Sequence, residues 1–172
     1  VIPTGAGLGG GSADASFALK LMNTLFKLQL SNKVLRLLAV QLGMDCPLFI
    51  ENVPALSTGR GELLTPVSLM LSGMYLLIVK PPVHVSTAAA FAGIKPMLRE
   101  NSIHEITSLP VQEWRKLLYN DFESTVMVLY PETGEIKNEL YRKGAVYSAL
   151  SGSGSAVFGL FEKPVSLEFA GC

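Results

Sequence analysis

Pro3-Thr4-Gly5-Ala6-Gly7-Leu8-Gly9-Gly10-Gly11-Ser12-Ala13-Asp14-Ala15 stands at the head of the chain. Between Gly5 and Gly11 only Ala6 and Leu8 carry a Cβ. A backbone this bare curls tightly and approaches a ligand closely. Its amides line a concavity that suits an anion. Ser12 is placed to cap the helix that the following apolar residues predict. Amides that feed a helix N-terminus make a phosphate site, because unpaired N–H groups and the helix dipole act together. The stretch therefore predicts a phosphorylated ligand.

The helix expected over 12–30 carries Phe17, Leu21, Leu25 and Leu28 at helical spacing. Leu19, Met22 and Phe26 extend its apolar surface around most of the girth, which predicts burial. Ser31 caps a second predicted helix with Val34, Leu37, Leu38 and Leu42 inward, ended by Gly43. Pro47 is expected to bar helix and start an extended run over 48–51. Short strands are predicted over 52–56 and 63–66, around the turn Thr58-Gly59-Arg60-Gly61-Glu62. After a boundary at 66–73, a strand is predicted over 74–80 and a short helix from the Ser86 cap through Phe91. Helical patterns follow around 102–107, 110–119, 120–130 and 132–143. Strands over 145–150 and 156–162 flank Ser151-Gly152-Ser153-Gly154-Ser155. Helices and strands without regular alternation point to an α+β fold.

Composition excludes several classes. With 49% hydrophobic and 16% charged residues the chain is globular, not disordered. A formal net charge of zero argues against nucleic acid or an anionic membrane as the main partner. No apolar run approaches the roughly 20 residues that span a bilayer. No signal-peptide pattern is present, and because the chain opens mid-motif without a Met, upstream targeting signals are out of view. Cys46 and Cys172 make no disulfide framework, which fits a reducing cytoplasm.

Gly5, Gly7 and Gly10 match G-x-G-x-x-G, and a dinucleotide site would then need a second strand ending in an acidic residue about 20 positions on. Residues 15–44 hold no Asp or Glu and predict two successive helices, so a nicotinamide-dependent oxidoreductase loses both supports. A P-loop fails for want of a following Gly-Lys-Ser/Thr. Asp45, in an apolar stretch just past a predicted helix end, is the leading catalytic candidate. A carboxylate there accepts a proton from a substrate hydroxyl or orients it. On spacing alone an ordinary turn aspartate is the commoner explanation. Cys46 reads as a small buried hydrophobe. Arg60 serves a phosphate or a solvated hairpin equally well, and residues 151–155 serve a substrate wall or a plain turn. Lys20, Lys27, Lys33 and Arg36 read as solvated helix faces. His84 and His104 lack metal-ligand spacing, so no metal ligand is assigned. Trp114 and Tyr119 are expected to pack a helix face.

The order of these pieces is more specific than any one of them. The opening glycine stretch, Gly43-Met44-Asp45-Cys46-Pro47, Thr58-Gly59-Arg60-Gly61-Glu62, Asn120-Asp121-Phe122-Glu123 and Ser151-Gly152-Ser153-Gly154-Ser155 together resemble the GHMP small-molecule kinases over essentially the whole chain. The three-glycine step before Ser12 and the Gly-x-Asp-x-Pro run favour members acting on a cytidine-diphosphate-linked polyol in non-mevalonate isoprenoid synthesis, over mevalonate or homoserine kinases. The resemblance implies transfer of the ATP γ-phosphoryl group to the 2-hydroxyl of that polyol, with Mg²⁺. It implies a truncated ribosomal-S5-domain-2-like portion over 1–70, with a left-handed crossover against the usual rule. A ferredoxin-like domain is implied over 71–172, in a cytoplasmic monomer or weak homodimer. By carry-over Gly5, Gly7, Leu8, Gly9, Gly10, Gly11 and Ser12 cradle the ATP phosphates, and Asp45 is the catalytic aspartate. Thr87, Gly152, Ser153 and Gly154 match positions facing the acceptor. Ala13 stands where the family has a second serine, and Asp14 suits either the helix dipole or the metal. The family's N-terminal portion, with a catalytic lysine and most of the cytidine pocket, and its last strand have no counterpart here. The 172 residues alone are therefore expected to be inactive and the complete parent a kinase. Another GHMP small-molecule kinase, a nucleotide-binding module without catalysis and, last, a nicotinamide-dinucleotide-binding oxidoreductase are the alternatives.

Overall fold

In the computed structural model, which describes residues 2–94 and 100–166, Gly9 adopts the left-handed conformation (φ 67°) and helix α1 runs over Gly10–Leu25. The cap is therefore Gly9 and not Ser12, which lies inside the first turn. Glycine reaches positive φ without steric cost, so the helix starts at the last such bend and needs no side-chain cap. The first helical bond runs from the Ala13 amide to the Gly9 carbonyl at 2.9 Å. Cys172 lies outside the described residues. The chain divides into two units, one of Gly9–Leu69 and one of Val1–Leu8 with Met70–Cys172.

In the first of these units, α2 (Asn32–Ala39) and α3 (Cys46–Glu51) pack on α1 along its Ala15, Ser16 and Leu19 side. The predicted burial of α1 is not found: Phe17, Leu21, Met22, Leu25, Phe26 and, just beyond the helix, Leu28 are exposed. An apolar pattern says which faces can be buried, but a neighbouring element decides which are. Ser31 caps α2 as expected, its Oγ accepting from the Val34 amide at 3.4 Å. The inward row is Leu35 and Ala39, however, and Val34, Leu37, Leu38 and Leu42 are exposed. Leu35 and Ala39 close a small core with Cys46 and Ile50, because α3 meets α2 along that one i,i+4 row. Pro47 opens α3 instead of an extended run: in a first turn its missing N–H is not needed and its fixed φ suits the helix. Asn52 ends α3 at φ 54°, and β1 (Ala55–Thr58) pairs antiparallel with β2 (Leu63–Pro66).

The second unit holds β3 (Tyr75–Val79), α4 (Thr87–Ala92), α5 (Ile103–Ser108), α6 (Val111–Leu117), α7 (Glu123–Leu129), α8 (Pro131–Arg142), β4 (Tyr147–Leu150) and β5 (Val157–Phe161). Its antiparallel sheet has the order β3-β5-β4, with Leu77 opposite Gly159 and Ser148 opposite the same residue. Alternation sends Leu150, Val157 and Phe161 to one face, where Ile136 and Leu140 of α8 join them in the main core. On the other face Trp114 meets Tyr147 edge-on, and Tyr147 meets Phe158. Tyr119 is exposed, and its hydroxyl donates to the Lys116 carbonyl of α6. The helix expected over 120–130 begins only at Glu123, after a turn in which Asn120 Oδ1 accepts from the Phe122 amide at 3.0 Å.

Ser86 caps α4, and Ser102 with Glu105 forms a reciprocal capping box on α5. Hydrogen bonds from the Ser102 amide, then its hydroxyl, hold the exposed Glu105 carboxyl below its ordinary value of 4.5. A depressed folded value means that the cap's contribution is present above 4.5 and is lost as pH falls through the folded value. Side-chain NMR is expected to show Glu105 titrating below 4.5, with first-turn amides of α5 losing protection in the same step. A titration at or above 4.5 contradicts the box.

Candidate active site

Within the Gly9–Leu69 unit, α1 and α3 are tied at two levels. The buried Ser16 hydroxyl lies 2.7 Å from the Cys46 carbonyl and 2.8 Å from the Ser12 carbonyl, sharing its proton between them. One turn on, Lys20 Nζ donates to the Ile50 carbonyl at 3.2 Å, where a cation suits the C-terminal end of α3. A rise of four residues on each helix means that they run in the same direction with their N-termini at the same end. Gly9, Gly10, Gly11 and Ser12 therefore share that end with Asp45. Asp45 is the N-cap residue of α3, preceded by a turn in which the Cys46 amide bonds the Gly43 carbonyl at 3.1 Å. It is exposed, not enclosed in the apolar setting expected from its neighbours, and its side chain makes no capping bond. The carboxylate is thus open to a ligand at the start of α3. The hairpin turn closes on the same place: Gly61 (φ 100°) lies so near Met44 that a Cβ would sit 1.8 Å from its carbonyl oxygen. Arg60 is exposed in that turn, with its amide bonded to Glu62 Oε2 at 2.8 Å. Lys20 and Arg36 are not simply solvated, since Arg36 Nε pairs with Glu51 at 3.5 Å.

Within the other unit, which also holds Gly5 and Leu8, Ala6 and Gly7 interlock with residues 151–156. Ser151 Oγ donates to the Gly7 carbonyl at 2.8 Å, and the Ala156 amide donates to the Ala6 carbonyl at 3.0 Å. Gly7 (φ 74°) packs so closely that a Cβ would lie 1.9 Å from the Ser151 carbonyl oxygen. The fully buried Ser155 hydroxyl donates to the Val83 carbonyl at 2.9 Å, which ties the loop to the segment leading into Thr87. Thr87 is the exposed first residue of α4. Residues 5–7, 83–85 and 151–156, far apart in sequence, therefore meet, with Gly152, Ser153 and Gly154 at the bend and Thr87 two residues beyond Val85.

Two groups here lacked a role in the sequence. The His84 ring lies against Gly5, whose Cβ would be 2.9 Å from it, and no spacing signalled this. Asn120 Nδ2 donates to the Gly152 carbonyl at 2.8 Å, and its motif was visible without a task. Beneath the loop, burial chiefly raises the Tyr141 phenol, and burial followed by the Glu123 charge raises Tyr147 further. Both stay protonated donors at neutral pH. Among the described residues no group of three His, Cys, Asp or Glu side chains could hold a metal, and no helix is long and apolar enough to cross a membrane.

A family model described as the GHMP kinases N terminal domain matches residues 1–52, and one described as GHMP kinases C terminal matches 103–171. The chain belongs to the GHMP kinases. The α+β fold agrees: a solved structure described as a crystal structure of 4-(cytidine 5'-diphospho)-2C-methyl-D-erythritol kinase superposes with a TM-score of 0.78 at 31% identity. That superposition covers 95% of this chain and 60% of the other. Among curated relatives, the 4-diphosphocytidyl-2-C-methyl-D-erythritol kinase of Bacteroides thetaiotaomicron is 54% identical, over 94% of this chain and 59% of its own. The protein of the same name from Porphyromonas gingivalis is 51% identical, over 95% and 61%. The chain thus spans about three fifths of the length of these relatives.

Proposed function

We propose that the whole protein transfers the γ-phosphoryl group of ATP to the 2-hydroxyl of 4-diphosphocytidyl-2-C-methyl-D-erythritol, in the cytoplasm, as a step of non-mevalonate isoprenoid precursor synthesis. The observation that carries this reading is the high identity to relatives bearing that enzyme's name over nearly all of the chain. Residues 1–70 then belong to the nucleotide-binding domain and 71–172 to the C-terminal domain, in a monomer or weak homodimer. The amides of Gly5, Gly7, Leu8, Gly9, Gly10 and Gly11, with Ser12, hold the phosphates, aided by the α1 dipole. Asp45 receives the proton as the acceptor oxygen bonds to the γ-phosphorus and the bond to the β,γ-bridging oxygen breaks, releasing ADP. Thr87, Gly152, Ser153 and Gly154 orient the acceptor, and positioning of this kind supplies much of the catalysis in phosphoryl transfer.

Mg²⁺ suits these residues as an ion that enters with the nucleotide, since it keeps several waters and takes one or two carboxylates plus phosphate oxygens. Asp14, exposed near the start of α1, and the Ser12 hydroxyl would hold it. Bound there, it would neutralise charge on the phosphates. The test is direct: whole protein with ATP–Mg²⁺ and 4-diphosphocytidyl-2-C-methyl-D-erythritol is expected to release ADP and yield a new phosphomonoester signal in ³¹P NMR. ADP release with homoserine or mevalonate, and none with this acceptor, overturns the assignment.

A further inference from the structure

β4 is paired with β5 along one side only among the described residues. An open edge leaves alternate backbone groups without partners. Side chains take those places here. Tyr141 Oη accepts from the Ser148 amide and donates to the Ser148 carbonyl, both at 3.1 Å. Glu123 Oε1 accepts from the Leu150 amide at 2.9 Å. Asn120 Nδ2 donates to the carbonyls of Leu150 and Gly152, both at 2.8 Å. Residues 148, 150 and 152 follow the period of two that aims successive groups at one edge. The holders are held in turn. Asn120 Oδ1 accepts from the Phe122 amide, and Glu123 Oε2 pairs with Lys137 Nζ at 2.5 Å, their side chains only 12% and 22% exposed.

We propose that Asn120 and Glu123, with Lys137 behind Glu123, are positioning residues that stand in for a neighbouring strand and fix the 151–155 loop. Glycine-rich backbone loses more freedom on ordering than any other. Gly152 and Gly154 therefore hold one conformation only if their surroundings pin them. The clamp grips the loop at its entry, while Ser151 and Ser155 bind residues 7 and 83 at the bend. The catalytic part of this inference rests on the kinase reading above; the ordering of the loop does not.

Amide hydrogen exchange and steady-state kinetics on the whole protein test it with Asn120→Ala, Glu123→Ala and Glu123→Gln. Both alanine variants are expected to speed exchange at 150–156 and to lower kcat/KM roughly tenfold, the scale of one buried hydrogen bond. Glu123→Gln keeps an acceptor for the Leu150 amide and is expected to recover most of both. Unchanged exchange at 150–156 in Asn120→Ala overturns the proposal. So does a loss of kcat/KM that merely follows the folded fraction, with Glu123→Gln as impaired as Glu123→Ala. Should Glu123→Ala not fold, Asn120→Ala and Glu123→Gln decide. Exchange needs no turnover, so a wild-type protein inert toward the proposed acceptor counts against the function while the clamp is still judged on exchange.

Discussion

Asp45→Asn is expected to lower kcat of the whole protein by a factor of about 10²–10⁴, the usual contribution of a positioned acid or base, while ATP affinity stays within a few-fold of wild type. The separation follows from where Asp45 stands. It is the N-cap residue of α3 and makes no capping bond, and asparagine is as good in that position as aspartate. Cys46 and Ile50, which anchor α3 in the small core, are untouched. The substitution therefore removes a proton acceptor without moving the helix that presents it. Kinetics with saturating acceptor, paired with calorimetric titration of a non-hydrolysable ATP analogue, reads the two quantities separately. Wild-type turnover in Asp45→Asn would falsify the assignment of Asp45 as the base. Equal loss of turnover and nucleotide affinity would instead make it a binding residue.

Gly7→Ala is expected to destabilise the protein by at least about 1–3 kcal/mol, the cost of holding a side chain in a sparsely populated backbone region. The estimate is a lower bound, because the new Cβ would also lie 1.9 Å from the Ser151 carbonyl oxygen and 3.0 Å from the Gly154 nitrogen. Both are backbone atoms and cannot swing aside, so residues 5–8 and 151–155 must separate and give up the bonds from Ser151 Oγ and the Ala156 amide. Gly11→Ala is the internal control. Its Cβ would meet nothing within 4 Å, and it lies in α1, where alanine is preferred to glycine by up to about 1 kcal/mol. Denaturant unfolding of both variants is expected to move the midpoint in opposite directions. Parallel losses in the two would show that glycine matters along the run for a reason other than this contact.

Much of the architecture was legible because its signals are local. The caps Ser31, Ser86 and Ser102 each act within three residues. The turns at 59–61 and 151–155 are set by glycines that occupy positive φ. Such effects are written in adjacent residues and need no knowledge of the rest of the chain. Pro47 misled because a proline that cannot continue a helix is well suited to begin one, and only the packing of Cys46 and Ile50 decides between the two. Val34, Leu37 and Leu38 misled for a related reason. The apolar pattern of α2 allows more than one inward face, and the choice belongs to α3.

The candidate residues divide in the same way. Their identities were visible as glycine density, a lone aspartate in an acid-free neighbourhood and a motif at 120–123. Their assembly was not, since Ser151 finds Gly7 across 144 residues and Asn120 finds Gly152 across 32. Short-range sterics and hydrogen bonding made legible where the glycine turns bend, that Ser31 and Ser86 cap helices, and which residue types stand ready for phosphate chemistry, whereas the starts of α1, α3 and α7 were not legible. Tertiary structure alone decided which helix faces are buried, that Asp45 opens toward solvent beside the start of α1, and that side chains replace a strand along β4. Those outcomes depend on which distant surfaces meet, and no local pattern encodes that.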